Sequence, residues 1–167
     1  MITKHYDPPE ELPYMNLLSR LVQIYRSVES HEELIQKIGA DRLTDMSDYP
    51  GQRLMDSLDP LPGGFVQRTY LFRDRSNGRG ILEVVFHGRA LVNIRAQLFT
   101  NGWFAKSKSR RLLSEDILPN LEIMFGPPVE TSSNSTMFKG HGLAVVARLV
   151  PARPSSVSIY LIDERYA

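Results

Sequence analysis

The spacing of apolar residues changes at Gly64 of this 167-residue chain, and that change limits the folds open to it. Before Gly64 the apolar side chains recur every three or four residues, which is the period of an amphipathic helix. After Gly64 they alternate with polar side chains, which is the period of a strand with one buried face. Helices followed by successive strands predict a single α+β domain over residues 1–167 rather than alternating β and α units.

The first third of the chain contains two predicted helices. One begins at Pro13, whose missing N–H costs nothing in a first helical turn. The second begins at Ser30, an N-cap residue that two glutamates follow, and ends at Gly39. Residues 1–12 are expected to form a flexible tail, and residues 40–64, rich in Asp, Pro and Gly, a connection.

About five strands are predicted, arranged as a three-stranded meander and a C-terminal hairpin. The apolar positions of the meander are Val66, Tyr70 and Phe72, then Leu82, Val84 and Phe86, then Val92, Ile94, Ala96 and Leu98. Those of the hairpin are Leu143, Val145, Ala147 and Leu149, then Val157, Ile159 and Leu161. Because hairpins dominate, we expect an antiparallel sheet with the N-terminal helices and one inserted helix packed on one face.

The link between the second and third strands sets the register of the meander. A two-residue loop at 88–89 places Val84 opposite Asn93, so that an apolar row meets a polar one. A three-residue loop at 88–90 instead pairs Val84 with Ile94 and keeps both apolar rows on one face. We therefore predict the three-residue loop. The other predicted pairs are Phe86 with Val92, Leu82 with Ala96 and, on the opposite face, Glu83 with Arg95.

A third helix is predicted between the meander and the hairpin. Ser114 is its expected N-cap, its apolar residues continue to Phe125, and Gly126 ends it. Pro119 must lie in the first turn of this helix or bend it. The polar residues 129–141 that follow are expected to form a loop.

Composition excludes several classes of function. The chain has no cysteine, which excludes disulfides, thiolate metal sites and a cysteine nucleophile. Its net charge is only +1, so any binding of a polyanion must depend on a local patch. No apolar run reaches the ~18 residues of a membrane span, and the N-terminus lacks the apolar core of a signal peptide. A cytoplasmic location is favoured, with an exported protein whose signal has been removed as the alternative.

Catalytic and cofactor motifs are absent from the sequence. There is no glycine-rich phosphate loop, no HExxH, no calcium-loop pattern and no GxSxG. His87 and His141 are the candidates for acid–base chemistry because histidine titrates near neutral pH, but no carboxylate adjoins either residue. The sequence predicts no metal site and no cofactor. It favours a non-enzymatic protein and leaves enzymatic activity open.

Residues 103–111, called the aromatic–basic segment below, combine two aromatic residues with four cations. The aromatic residues are Trp103 and Phe104, and the cations are Lys106, Lys108, Arg110 and Arg111. Aromatic rings stack on bases while cations contact phosphates, which is how single-stranded nucleic acid is held. The same composition suits an anionic membrane surface. It is also compatible with a solvated basic edge that has no partner.

The face of the sheet that points away from the helices is the third candidate. Arg95, Asn93, Arg148 and Tyr160 are predicted to lie there, and Arg and Tyr are frequent anchors of protein interfaces. The favoured function is therefore a protein-binding module, such as an inhibitor, an immunity-type protein or an adaptor. The alternatives are a single-stranded nucleic-acid-binding module at residues 103–111 and a small-ligand pocket or enzyme that uses His87 or His141. The identity of the partner and the oligomeric state stay open.

Overall fold

The computed structural model describes residues 13–38, 43–45, 60–61, 63–73, 79–100, 103–150 and 155–166. The predicted tail, residues 1–12, lies outside them. The helices are α1 (Pro13–Ile24), α2 (His31–Ile38), α3 (Ala105–Arg111) and α4 (Leu118–Phe125). The strands are β1 (Leu43–Asp45), β2 (Pro60–Leu61), β3 (Phe65–Arg73), β4 (Arg79–His87), β5 (Ala90–Phe99), β6 (Glu130–Thr131), β7 (Ser135–Gly140), β8 (Leu143–Val150) and β9 (Ser156–Asp163).

The strands form one antiparallel sheet in the order β1-β3-β4-β5-β9-β8-β7-β6, and β2 pairs with β3 beside β1. The α+β class and the antiparallel sheet are therefore confirmed. So are the meander, which is β3-β4-β5, and the C-terminal hairpin, which is β8-β9. The number of strands was underestimated, because the described residues contain more than the five predicted.

The main strand that the sequence did not reveal is β7, which occupies part of the predicted loop 129–141. Only one of its side chains, that of Phe138, is fully buried. A strand far from the centre of a sheet needs few apolar residues, so its alternation is weak in the sequence. The strands β1, β2 and β6 have two or three residues each, too few to show any period.

The order of the elements divides the chain into two topologically similar halves. In the first half, α1 and α2 precede the meander β3-β4-β5. In the second half, α3 and α4 precede a second meander, β7-β8-β9. The last strands of the two meanders, β5 and β9, lie side by side and antiparallel at the centre of the sheet. Strands β4 and β8, and beyond them β3 and β7, thus lie at corresponding positions on either side of the β5–β9 pair.

The described helices bury their apolar side chains against one face of the sheet, called the inner face below. From the helical segments and the link between α1 and α2 the core takes Leu18, Leu21, Tyr25, Val28, Leu34, Ile38, Ile117 and Leu121. From the inner face it takes residues such as Leu82, Val84, Ile94, Leu98, Phe138, Val145, Val157, Ile159 and Leu161. These side chains are at most a few per cent exposed, so the predicted arrangement of helices on one side of the sheet agrees with the position of the core.

Helix α2 begins as the sequence predicts. Ser30 Oγ accepts a hydrogen bond from the N–H of Glu33 at 3.2 Å, and the Ser30 carbonyl accepts one from the N–H of Leu34 at 3.1 Å. Ser30 is therefore an N-cap that satisfies a free N–H group of the first turn. The helix ends at Ile38, with Lys37 in its last turn, where a cation is favourable.

The turn between β4 and β5 differs from the prediction. Phe86 pairs with Leu91, and the turn consists of Gly88 and Arg89 alone. Gly88 has a φ of 61°, a conformation that glycine adopts without strain and that suits a two-residue hairpin turn. The predicted three-residue loop, and with it the pairing of Phe86 with Val92, is wrong.

A β-bulge reconciles this short turn with the apolar pattern. The register shifts between Val85 and Phe86, which leaves Val92 as an additional residue in β5. Leu91 and Val92 are both 3% exposed, so the bulge buries two neighbouring side chains. Beyond the bulge the other predicted pairs are confirmed: Val84 with Ile94, Leu82 with Ala96 and Glu83 with Arg95.

The third predicted helix starts earlier than expected. It begins with α3 at Ala105, and Ser114 lies inside it rather than at its N-cap. Ser114 Oγ donates a hydrogen bond to the carbonyl of Arg110, four residues earlier, at 2.8 Å. A serine hydroxyl can cap the start of a helix or bond to the carbonyl four residues earlier inside a helix, so the sequence alone did not distinguish these two roles.

A π-helical segment, Leu112–Ile117, joins α3 to α4. In it the N–H of Leu118 bonds to the carbonyl of Leu113, five residues earlier. Pro119 follows directly and lies in the first turn of α4, as one of the two predicted possibilities required. Because proline has no N–H and its ring crowds the carbonyl four residues earlier, a widened turn accommodates it without ending the helix.

Candidate functional site

The strands point a second set of side chains away from the helices, onto what is called the outer face below. Its central row crosses five adjacent strands and consists of Thr69, Glu83, Arg95, Tyr160 and Val146. The four residues predicted to bind a partner all lie on this face. Asn93 lies one row from Arg95 towards the β4–β5 turn, and Arg148 lies one row away in the other direction.

An ion pair occupies the centre of the outer face. Arg95 Nη2 donates to Glu83 Oε1 across the β4–β5 pair, and the two side chains are 28% and 13% exposed. Arg95 is therefore held in place by the sheet itself. Three polar atoms near this pair are buried without a hydrogen-bond partner: Thr69 Oγ1, Asn93 Oδ1 and Arg95 Nε. The centre of the face thus has hydrogen-bonding capacity that the described protein atoms do not use.

The rest of the outer face carries apolar as well as polar side chains. Apolar side chains surround the ion pair, and they are half-buried rather than covered: Leu71, Ile81, Val85, Met137, Val146 and Ile162. Arg148 and Lys139 are exposed towards the β7 side. A face that mixes half-exposed apolar groups with Arg and Tyr resembles a protein interface more than a solvated sheet surface.

The aromatic–basic segment is helical rather than a loop from Ala105 onwards. Trp103 and Phe104 precede α3, and their side chains are 100% and 73% exposed. The four cations of the segment, Lys106, Lys108, Arg110 and Arg111, are exposed along α3. The structure therefore brings all six predicted residues together on one exposed surface.

A cluster of hydroxyl groups fixes the start of α3 to the sheet. Thr100 Oγ1 lies 2.6 Å from Ser109 Oγ and donates to the carbonyl of Ala105 at 2.8 Å. Ser155 Oγ donates to Ser109 Oγ at 3.0 Å, and the N–H of Thr100 donates to the carbonyl of Ser155 at 3.2 Å. Ser109 is fully buried. The two exposed aromatic residues consequently adjoin a helix that is hydrogen-bonded to the sheet.

The two candidate histidines lie near the opposite end of the sheet from Trp103. His87 stacks on Phe65 with ring centroids 4.6 Å apart, and its Nδ1 lies 3.4 Å from the Tyr166 hydroxyl. His141 Nε2 lies 3.3 Å from the carbonyl oxygen of Met124. Neither ring has a recorded hydrogen bond or ion pair with a carboxylate, so within the described residues no acid–base pair is assembled at either one.

A cleft of about 550 Å³ opens at the histidine end of the sheet, between the end of α1, two hairpin turns and the C-terminal residues. Its charged lining consists of Arg26, Glu29, Arg89, Asp163, Glu164 and Arg165. These positive and negative groups balance in number, so the cleft does not select a ligand of either sign. Sequence reasoning missed it because its walls come from four separate stretches of the chain.

Asp163 and Arg165 form the best-defined contact in this cleft. Arg165 Nε donates to Asp163 Oδ1 at 3.0 Å, and Arg165 Nη2 donates to Asp163 Oδ2 at 2.6 Å. These hydrogen bonds hold the pKa of the Asp163 carboxyl below its usual value, although burial opposes them. Tyr25 lines the same cleft, and burial raises the pKa of its hydroxyl well above the usual value.

Metal-ligand clusters and membrane-spanning helices are both absent from the described residues. Among the described residues, no three His, Asp or Glu side chains are grouped as metal ligands. No helix in these residues is long and apolar enough to cross a membrane.

Comparison with known proteins adds no assignment. No protein-family model, no curated protein and no solved structure matches this chain. Its function must therefore be inferred from the outer face, the aromatic–basic segment and the cleft.

Proposed function

We propose that this protein is a non-enzymatic binding module, such as an inhibitor, an immunity-type protein or an adaptor, that recognises a partner protein through the outer face. The observation that carries the proposal is the composition of that face. Half-buried apolar side chains surround the Glu83–Arg95 pair and Tyr160, whereas the apolar core between the sheet and the described helices lies on the other side of the sheet.

The size of the outer face fits a specific protein interface. Six long strands about 4.8 Å apart, each about eight residues long at about 3.3 Å per residue, span roughly 29 Å by 26 Å, or about 750 Å². A stable protein complex buries about 800 Å² on each partner. The outer face alone therefore offers nearly the area that a stable complex needs.

The side chains at its centre have the properties of interface anchors. Tyr160 lies beside Arg95 on the neighbouring strand and is half-buried, so little side-chain entropy is lost when a partner covers it. Arg95 is fixed by its ion pair with Glu83, so this side chain is also ordered before a partner binds.

The enzymatic alternative has weaker support in the geometry. His87 contacts an aromatic ring and a tyrosine hydroxyl, and His141 contacts a backbone carbonyl. A general acid or base needs a group that positions it and a site for the substrate beside it. The binding module requires no such assembly.

Site-specific photo-crosslinking in the native cells would test the proposal. A photoreactive amino acid replaces Arg148, which is exposed on the outer face, and in a control protein it replaces Arg20, which is exposed on α1. We expect one discrete crosslinked protein from position 148 and none from position 20. Adding Tyr160→Ala should remove the crosslink, because that change shortens an anchor without altering a charge.

Two results would contradict the outer face as the binding surface. One is equal crosslinking from positions 148 and 20, and the other is an unchanged crosslink in the Tyr160→Ala protein. Circular dichroism of each variant would establish that the fold is retained.

A further inference from the structure

The aromatic–basic segment places two exposed apolar rings beside a group of cations. Trp103 is 100% exposed and Phe104 is 73% exposed, so two large apolar rings are hydrated in the free protein. Next to them, α3 presents four cations within six residues. In a chain with a net charge of +1, this is a strong local concentration of positive charge. A surface that removes the rings from water and neutralises the cations would bind here.

We infer that this surface is an anionic membrane, on which Trp103 and Phe104 enter the interfacial region while the cations of α3 contact lipid headgroups. Tryptophan is enriched at membrane interfaces because its ring is apolar and its N–H can remain hydrated. Clusters of four or more Lys and Arg attract anionic leaflets. The membrane is contacted from outside and is not crossed.

The exposure of Trp103 favours a membrane over a single-stranded nucleic acid. A base covers only one face of an aromatic ring, and stacking sites lie along grooves that track the phosphates. The Trp103 side chain is fully exposed, with none of the described residues covering it, and the described cleft lies at the other end of the sheet. A bilayer surrounds a protruding ring on all sides, which removes more apolar area from water.

The attachment of the aromatic–basic segment to the sheet supports the same inference. The hydroxyl cluster of Thr100, Ser109 and Ser155 fixes the start of α3, so the two rings are presented without ordering a loop on binding. The chain has a single tryptophan, and it lies at the proposed contact. Its fluorescence therefore reports on this site alone.

The test measures binding of the full chain to lipid vesicles. Vesicles of phosphatidylcholine with phosphatidylglycerol are compared with vesicles of phosphatidylcholine alone, and a single-stranded oligothymidylate is titrated separately. We expect the fluorescence of Trp103 to shift to shorter wavelength with the anionic vesicles only. Each cation near an anionic surface strengthens binding about fivefold, so Arg110→Gln with Arg111→Gln should weaken it about 30-fold.

A matched control removes two cations elsewhere. Arg20→Gln with Lys139→Gln makes the same change in net charge on α1 and on β7, and vesicle co-sedimentation should weaken less than threefold. Trp103→Ala, measured by the same sedimentation, should lose most of the binding. Equal weakening in both charge variants, no wavelength shift, or binding of the oligothymidylate but not of the vesicles would overturn the inference. The last result would assign the segment to single-stranded nucleic acid.

Discussion

Deleting Val92 should leave the fold intact, although the residue is buried in a central strand of the sheet. Val92 is the additional residue of the bulge, so its removal joins Leu91 directly to Asn93. The ladder then becomes regular, with Phe86 still opposite Leu91 and Val85 still opposite Asn93. The loss is the burial of one valine side chain, which is worth about 1.5–3 kcal/mol.

Deletion of Arg95 is the contrasting variant, because it removes a residue from a regular part of the same strand. The strand can close this gap with the least disruption by drawing Val92, the bulge residue, into the ladder. Asn93 and Ile94 then each move to the opposite face of the sheet. Ile94 then leaves the inner face, at about 1.5–3 kcal/mol, and Asn93 enters it, at about 1–3 kcal/mol. The Arg95→Ala protein measures the loss of the ion pair with Glu83 separately, so that it can be subtracted.

Urea unfolding followed by far-ultraviolet circular dichroism would measure these differences. Trp103 is a poor probe of unfolding, since its ring is fully exposed in the folded protein. We expect deletion of Val92 to lower the free energy of unfolding by about 1.5–3 kcal/mol and deletion of Arg95 by about 2.5–6 kcal/mol after the correction. If the two deletions cost the same, or if deletion of Val92 unfolds the protein, the bulge does not have the assigned register.

Further predictions concern single side chains. The pKa of Asp163 is lowered by hydrogen bonds from Arg165, so its contribution to stability is present above about pH 4 and is lost as the pH falls through its folded pKa. In urea titrations between pH 7 and pH 2, the deficit of Asp163→Asn should therefore shrink towards acid pH. Burial raises the pKa of Asp116, so Asp116→Asn should instead stabilise the protein near pH 7 and lose this advantage towards acid pH. Gly142→Ala should lower the midpoint of thermal unfolding, because Gly142 has a φ of 76°, a left-handed backbone conformation in which an alanine is strained. An unchanged midpoint would contradict that geometry.

The sequence predicted the parts of the fold in which burial produces a period. Strands β4, β5, β8 and β9 each have an inner face of alternating apolar residues, and the Ser30 cap marks the start of α2. Strand β7 was not predicted because it buries only one large side chain and its other residues are mostly polar or small. Its presence depends on pairing with β8, a long-range contact that leaves little trace in the local sequence.

The β4–β5 turn shows a different limit. In a regular ladder, the two-residue turn breaks the pairing of the apolar rows. The three-residue turn keeps that pairing but does not use the short turn that Gly88 favours. The short turn suits the positive φ of Gly88, and the pairing of the apolar rows keeps their side chains buried in the core. A bulge satisfies both at the cost of one unpaired residue, Val92, and nothing in a period of two indicates where such a residue lies.

The candidate sites were predictable only where they are continuous in the sequence. The aromatic–basic segment is a run of nine residues, and the structure presents its six named side chains together. The cleft combines α1, two turns and the C-terminal residues, and no local pattern joins them. The outer face lies between these cases, since alternation placed Arg95 and Tyr160 on it but did not reveal the apolar residues around them.

The positions of the two proposed surfaces make their functions separable. The outer face lies on one side of the sheet, whereas α3 continues into α4, whose Leu121 is buried in the core on the other side. We therefore expect a protein on the outer face to leave Trp103 uncovered, so that the two proposed partners bind independently. Tyr160→Ala should then leave vesicle binding unchanged, and Arg110→Gln with Arg111→Gln should leave the crosslink from position 148 unchanged. Loss of both activities in either variant would mean that the two surfaces serve one partner, which would have to extend around the edge of the sheet.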